Sequence, residues 1–343
     1  MSCFVIKTDL YLPKFYYLCA IVFIFNKKAM IYGLLIISFV LIIVGAMMLT
    51  DGSVAVAQKF KVPEFIVGLT IVAVGTSMPE LTVSFMSALA GKGDMAIGNV
   101  IGSNIFNTLL ILGVCALASP IVFTKSNIRR DIPICIAATV ALLGVTLLNQ
   151  DITRIEGILL LCGYIVMIIL TIRADKKALA AAPATETKHE ETAKPMPLWR
   201  IPLWIIGGLA GLIYGGDLFV ESASAIAREW GVSEATIAIT LVAGGTSMPE
   251  LASSLISIFK GKTSLALGNV LGSNIANILL ILGTCSTVTP LTMGGVAMSD
   301  VYVCVGATFV LMLSALVIGR DKLTRFEGLL FIACYIAYVY TLI

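Results

Sequence analysis

Apolar runs, each longer than the roughly 18 residues that cross a bilayer, follow one another along most of the chain, separated by short polar or glycine-bearing breaks. They fall near 31–50, 63–90, 95–119, 131–149, 155–173, 200–227, 233–260, 265–289, 299–319 and 325–343. At 1.5 Å of rise per residue each can span a hydrocarbon core of about 30 Å. The pattern predicts an all-α integral membrane protein of ten transmembrane helices. One long break, 174–199, is rich in Ala, Thr, Pro and charge and has no apolar period, so it reads as a solvated linker. The chain therefore divides into 30–173, the linker, and 200–343. Residues 1–29 stand apart. Their apolar run, Phe15 to Phe25, is too short to span and leads into Asn26-Lys27-Lys28 rather than a small-residue cleavage site. This leader is either an interfacial segment or the product of an upstream start, with Met30 the natural beginning of the first full span.

Composition agrees with the pattern and removes several function classes. Of the 343 residues, 59% are hydrophobic and 13% charged, about half the charge of an ordinary soluble domain. The net charge of +3 is spread between the apolar runs, so nucleic acid is not a partner. The eight cysteines form no CxxC pair, and the single histidine, His189, lies in the linker as a solvated residue. A zinc framework, an HExxH metalloprotease or a Ser-His pair within the membrane cannot be built from this set.

The two halves are copies. Residues 68–113 align without gaps to 238–283, with 28 of 46 positions identical at an offset of 170. Five spans per copy is an odd number, so the second copy must enter the membrane from the opposite side, as in inverted-repeat transporters. The charges favour one orientation. Loops after the odd-numbered spans carry sixteen lysines and arginines, from Lys59 and Lys61 to Arg320, Lys322 and Arg325; the opposite loops carry Lys92, Arg154 and Arg228. The first set, and with it the 174–199 loop, is expected in the cytoplasm, leaving both ends of the ten-helix core outside.

Chemistry concentrates where the copies agree best. Gly-Thr-Ser-Met-Pro-Glu occupies the middle of the second span of each copy, at 75–80 and 245–250. Thr76 and Thr246 fall near mid-bilayer, with Glu80 and Glu250 one turn away. A charge at that depth costs about 2.5–3.5 kcal/mol even on the most lenient insertion scale, so each carboxylate needs a cavity, a partner or an ion. Pro79 and Pro249 crowd the carbonyls of Gly75 and Gly245, which predicts a break in each helix and freed backbone oxygens beside the carboxylates. In the third span of each copy, Asn99, Ser103 and Asn107, and likewise Asn269, Ser273 and Asn277, follow i, i+4, i+8 spacing and share one helix face. Gly98, Gly102, Gly268 and Gly272 let that face approach a neighbouring helix. Carboxylates, hydroxyls and amide oxygens without imidazole or thiolate make a hard-cation set suited to Ca²⁺ or Na⁺. Taken singly, a mid-span Glu can be a protonated strut and a Gly-x-x-x-Gly a packing motif; the joint pattern, duplicated, points to an ion site. Asp51, Asp217, Glu221, Glu64 and Glu234 lie near span ends, where solvation accounts for them, and Arg154/Glu156 and Arg325/Glu327 read as interfacial anchors or local ion pairs.

The duplicated GTSMPE and GNV[IL]GSNI segments closely resemble the two alpha repeats of the sodium/calcium exchangers in the calcium:cation antiporter superfamily. The resemblance covers residues 31–343, and the length is similar to that of the compact prokaryotic exchangers, which lack a large calcium-sensing insert. It implies that Glu80 and Glu250 are central ion ligands, with Thr76, Ser77, Thr246 and Ser247 adding carbonyl or hydroxyl oxygens. Ala73 and Ala243 would contribute carbonyls, and Ser103, Ser273, Asn107 and Asn277 would complete the site. Potassium-dependent members carry Asp at one of the last two positions; Asn at both leaves a site charge of −2. The function so implied is exchange of Na⁺ for Ca²⁺ by alternating access across a prokaryotic-type inner (cytoplasmic) membrane, with sliding of the first and sixth spans. Its partners are the two ions as cargo and the lipid bilayer, with no cofactor and no protein partner. A proton-coupled or broader cation antiporter is the alternative within transport, and a cation channel the alternative outside it.

Overall fold

The computed structural model describes residues 12–149, 151–181, 196–232, 243–319 and 321–342. Helices α1 (Leu12–Phe60), α2 (Glu64–Thr76), α3 (Met78–Leu89), α4 (Gly93–Ala118), α5 (Asn127–Leu147) and α6 (Arg154–Ala181) build the first half. The second half holds α7 (Arg200–Glu229), α8 (Ala243–Gly245), α9 (Met248–Phe259), α10 (Thr263–Val288), α11 (Met298–Ile318) and α12 (Arg325–Leu342). Among the described residues eight helices are long and apolar enough to cross a membrane, and α2 with α3 makes a ninth span bent by 46°. The seventh expected span, 233–260, begins outside the described residues, as do Glu234 and His189; its remainder is α8 and α9.

Helix α1 departs from the expected 31–50 at its far end, continuing to Phe60. Thr50-Asp51-Gly52-Ser53 does not end it because the Asp51 carboxylate is matched by Lys260 Nζ at 2.5 Å and the following Ala55, Val56 and Ala57 are buried. The helix is also continuous back to Leu12.

Helices α4 and α10 form the centre. Of their most apolar stretches 78% and 89% is buried, against 22% for α1 and for α7, whose outer faces are turned to lipid. Lipid removes most of the hydrophobic drive between helices, so close backbone approach and polar bonds must hold them together. Glycines supply the approach. A Cβ at Gly268 would strike the Phe65 carbonyl of α2, and one at Gly272 the Leu69 backbone. Helices α1 and α7 cross in the same way, a Cβ at Gly208 falling 2.6 Å from Leu49 N and one at Gly45 2.8 Å from the Gly208 carbonyl. The turns Ala90-Gly91-Lys92 and Lys260-Gly261-Lys262 take positive φ, 73° and 72°, at their glycines, which lets α3 and α9 reverse into α4 and α10.

Two small antiparallel clasps join the halves. Strand β1 (Ile121–Val122) pairs with β4 (Lys322–Leu323), and β2 (Asp151–Ile152) with β3 (Leu291–Thr292). Each clasp links the loop after a central helix of one half to the loop before the last helix of the other. Those last helices begin on capping boxes. The Glu156 carboxylate accepts the Thr153 N–H and hydroxyl, and Glu327 does the same for Thr324 while also accepting the Ser314 hydroxyl. These two glutamates, read from sequence as anchors or ion-pair members, are helix caps.

Candidate ion-binding site

The site starts from two helix breaks. At Ser77 (φ −81°, ψ 10°) and Ser247 (φ −89°, ψ 8°) the backbone leaves helical geometry, and Pro79 and Pro249 fall in the first turn of the next helix, where no N–H partner is required. The break therefore puts Glu80 and Glu250 in the first turns of α3 and α9, at the positive end of each helix. Both side chains are fully buried.

Each carboxylate is held by the opposite half. Ser77 Oγ donates to Glu250 Oε1 at 2.8 Å, and Ser247 Oγ donates to Glu80 Oε1 at 2.8 Å. The carboxylates face each other closely enough to interact, with Thr246 beside Glu80 and Thr76 and Ser273 beside Glu250. No lysine or arginine among the described residues pairs with either of them. Their second oxygens, both Oε2, are buried without a hydrogen-bond partner.

The same holds for Thr246 Oγ1, Ser103 Oγ, Ser273 Oγ, Asn107 Oδ1 and Asn277 Oδ1. Buried polar atoms are nearly always paired, so these seven unpaired oxygens, every one an electron-pair donor, stand out among the described residues. A hard cation is the ligand that satisfies oxygens alone. Thr76 differs from Thr246. Its hydroxyl reaches Asn269 Oδ1 at 3.3 Å and the Ala73 carbonyl at 3.4 Å. The Ala73 carbonyl also accepts the Ser77 N–H at 3.0 Å, so it is not a freed oxygen. Ala243 opens the short helix α8.

Asn107 and Asn277 sit inside turns of π-helix, Phe106–Ile111 in α4 and Ala276–Leu282 in α10. Such turns widen the backbone and recur at functional positions. Sequence reasoning put Asn99 and Asn269 with the site oxygens, and here their amide N–H groups bond to the helices that carry the carboxylates. Asn99 Nδ2 donates to the Glu80 carbonyl and to Ser84 Oγ at 3.3 and 2.9 Å. Asn269 Nδ2 donates to the Glu250 carbonyl and to Ser253 and Ser254 at 3.4, 2.9 and 2.9 Å. They clamp the carboxylate-bearing helices to α4 and α10. Asn104 and Asn274, unassigned in the sequence reading, lock α4 to α10: Asn104 donates to the Asn274 carbonyl at 3.2 Å, Asn274 to Thr108 at 2.7 Å, and Asn277 to Asn104 Oδ1 at 3.0 Å. Their signal was present in the duplicated GSNI segment. Of the span-end acids, Asp51 and Glu64 pair with Lys260 and Lys262, while Asp217 and Glu221 are exposed on α7.

Comparison with known proteins agrees with this geometry. The family model for the sodium/calcium exchanger protein matches residues 30–173 and 200–343. The chain belongs to the sodium/calcium exchanger family. It is 39% identical over 310 residues to the putative antiporter CaxA of Alkalimonas amylolytica, covering 90% of this chain and 97% of that one. It is 29% identical to the sodium/calcium exchanger MaX1 of Methanosarcina acetivorans, over 89% and 98% of the two chains. Among solved structures, the sodium-calcium exchanger NCX_Mj, soaked with Na⁺ and Ca²⁺, superposes with a TM-score of 0.77 at 31% identity, covering 92% of this chain and 99% of that one. This exchanger-family chain is thus a multi-pass membrane transporter and not an enzyme, and the family supports cation antiport with Ca²⁺ among the cargo.

Proposed function

We propose that the chain is a secondary active antiporter that exchanges Na⁺ for Ca²⁺ by alternating access, built as two inverted five-helix repeats with the segment ending in α9 as the seventh span. The observation that carries the reading is the buried pair Glu80 and Glu250, each with one oxygen bonded to a serine of the other half and one oxygen left open. Two carboxylates neutralise one Ca²⁺ or two Na⁺, so the ions compete for the same charge. Ca²⁺ takes six to eight oxygens at about 2.3–2.6 Å; the ligands proposed are Glu80, Glu250, Thr76, Thr246, Ser77, Ser247, Ser103, Ser273, Asn107 and Asn277, with the carbonyls of Ala73 and Ala243.

Coupling follows from electrostatics. An empty site carrying two bare charges resists passage through the apolar layer, whereas a neutralised one does not. Exchange then dominates over leak. Helices α1 and α7 are the moving pair in this reading, sliding over the box formed by α2, α3, α4, α8, α9 and α10. Loops rich in Lys and Arg, including 174–199, face the cytoplasm, and the protein works in the inner membrane.

Uptake of ⁴⁵Ca²⁺ into proteoliposomes loaded with Na⁺, K⁺ or acidic buffer tests the proposal. Uptake should require internal Na⁺ and fall to the level of empty vesicles in Glu80→Gln and Glu250→Gln. The open Oε2 oxygens also suit protons, so a proton-coupled exchanger is the second reading, and uptake driven equally by a proton gradient without Na⁺ would establish it. Calcium current without counter-ion exchange would instead mean a channel.

A further inference from the structure

The two repeats match at the carboxylates and differ at the far end of the helix that carries each one. From Glu250, helix α9 presents Ser253 and Ser254 one turn on and Ser257 a turn further, all buried. Ser257 Oγ lies 3.2 Å from Thr50 Oγ1 of α1, and one turn on, Ser53 of α1 is buried with a hydroxyl that has no partner. The row ends at Lys260, ten residues beyond Glu250 and so about 15 Å along the helix, half the thickness of the apolar layer. There Lys260 Nζ meets Asp51 at 2.5 Å and the Met47 carbonyl at 3.3 Å, joining the end of α9 to α1 at two points.

The other repeat keeps part of the row, Ser84 and Ser87 standing opposite Ser254 and Ser257, but lacks the residues that continue and close it. At the offset of 170, Ser253 corresponds to Val83, Thr50 to Val220, and Lys260 to Ala90, which stands where Asp51 has the counterpart Glu221. Val220 offers methyl groups where Thr50 offers a hydroxyl, and it packs directly against Gly245 of α8. The Lys262 to Glu64 pair at 3.0 Å is different, because both residues have like-charged counterparts, Lys92 and Glu234.

We propose that the Lys260–Asp51 pair is a one-sided latch: it closes the hydroxyl row, an ion route from Glu250 to the membrane face where α9 ends, by fastening the α1/α7 pair to α9. Because only one repeat carries the latch, the two access states of the transporter differ in free energy, and the state described here is held shut on the Lys260 face. The latch rests on the antiport reading, since a route that alternates needs a transported ion. Lys260 and Asp51 act as positioning residues; they touch no site oxygen.

Labelling separates the latch from transport. In vesicles of known orientation, Ser257→Cys is treated with a membrane-impermeant thiol reagent from either side, and the modified peptide is quantified by mass spectrometry. Adding Lys260→Met or Asp51→Asn should speed modification from the Lys260 face about fivefold, the shift produced by losing an ion pair at the upper end of the partly exposed range. Modification from the opposite face should not rise. The exchanged pair Asp51→Lys with Lys260→Asp should return the rate toward that of Ser257→Cys alone, which a merely misfolded variant would not do. Unchanged labelling in both single variants, an equal rise from both faces, or no recovery in the exchanged pair would overturn the proposal. Labelling needs no flux, so a labelling response in protein that exchanges no calcium would remove the antiport reading while showing that the pair fastens α1 to α9, whereas normal exchange without a labelling response would remove the latch alone.

Discussion

At the scale of single residues, the candidate site is a contest between burial and pairing. Glu80 and Glu250 were legible in the sequence because a carboxylate in mid-span demands an explanation. The crossed pairing with Ser247 and Ser77 was not, since Ser77 bonds to a residue 173 positions away and no local spacing encodes that. Asn99 and Asn269 had the right spacing for ligands and proved to be clamps, because a side-chain amide has two faces and periodicity does not say which one is used. Their loads differ. Asn269 is bonded to Thr76, the Glu250 carbonyl, Ser253 and Ser254, whereas Asn99 serves the Glu80 carbonyl and Ser84. A buried group left unsatisfied costs about 1–3 kcal/mol. Asn269→Ala should therefore lower the thermal unfolding midpoint of the purified protein more than Asn99→Ala does, and equal losses would mean the extra bonds contribute nothing.

At the scale of helices, the breaks at Ser77 and Ser247 were predictable from proline chemistry, and the close approach of α10 to α2 from Gly268 and Gly272, whereas Gly98 and Gly102 of α4, expected to act alike, make no close backbone approach among the described residues. The length of α1 was hidden because its stop signal, Thr-Asp-Gly-Ser, is neutralised by a lysine from another helix. The π turns around Asn107 and Asn277 were hidden too, having no composition of their own. Close approach gives a prediction with a sign change. Gly268→Ala puts a carbon against the Phe65 carbonyl, so it should reduce the yield and thermal midpoint of folded protein. Gly306 has no atom of the described residues within 4 Å of an added Cβ. There the same replacement should leave the midpoint unchanged or raise it, in line with the roughly 0.5–1 kcal/mol advantage of Ala over Gly in a helix. Similar losses at both positions in a thermal scan would refute the packing account.

At the scale of the whole molecule, the duplication and most of the membrane spans were open to inspection, while the end of α6 was not, since it runs to Ala181 and so into the expected 174–199 linker; nor were the β1/β4 and β2/β3 clasps, two-residue strands being too short to leave a pattern. Each clasp joins loops that the alternation of spans puts on one side of the membrane, β1 with β4 and β2 with β3. The proposed orientation predicts that Thr187→Cys, in the linker, reacts with an impermeant thiol reagent only from the cytoplasmic side of spheroplast-derived vesicles; reaction from the outside would invert the topology. The crossed serine bonds carry a further meaning. Because each half furnishes the hydroxyl that steadies the other's carboxylate, neither copy was free to drift alone once the gene had doubled. Any change near one glutamate was tested at once against the partner strand of inheritance. On this view the 28 shared positions of 68–113 and 238–283 are what mutual restraint preserved. The freedom to diverge was left to the outer helices, and with it the chance for one side of the molecule to become unlike the other.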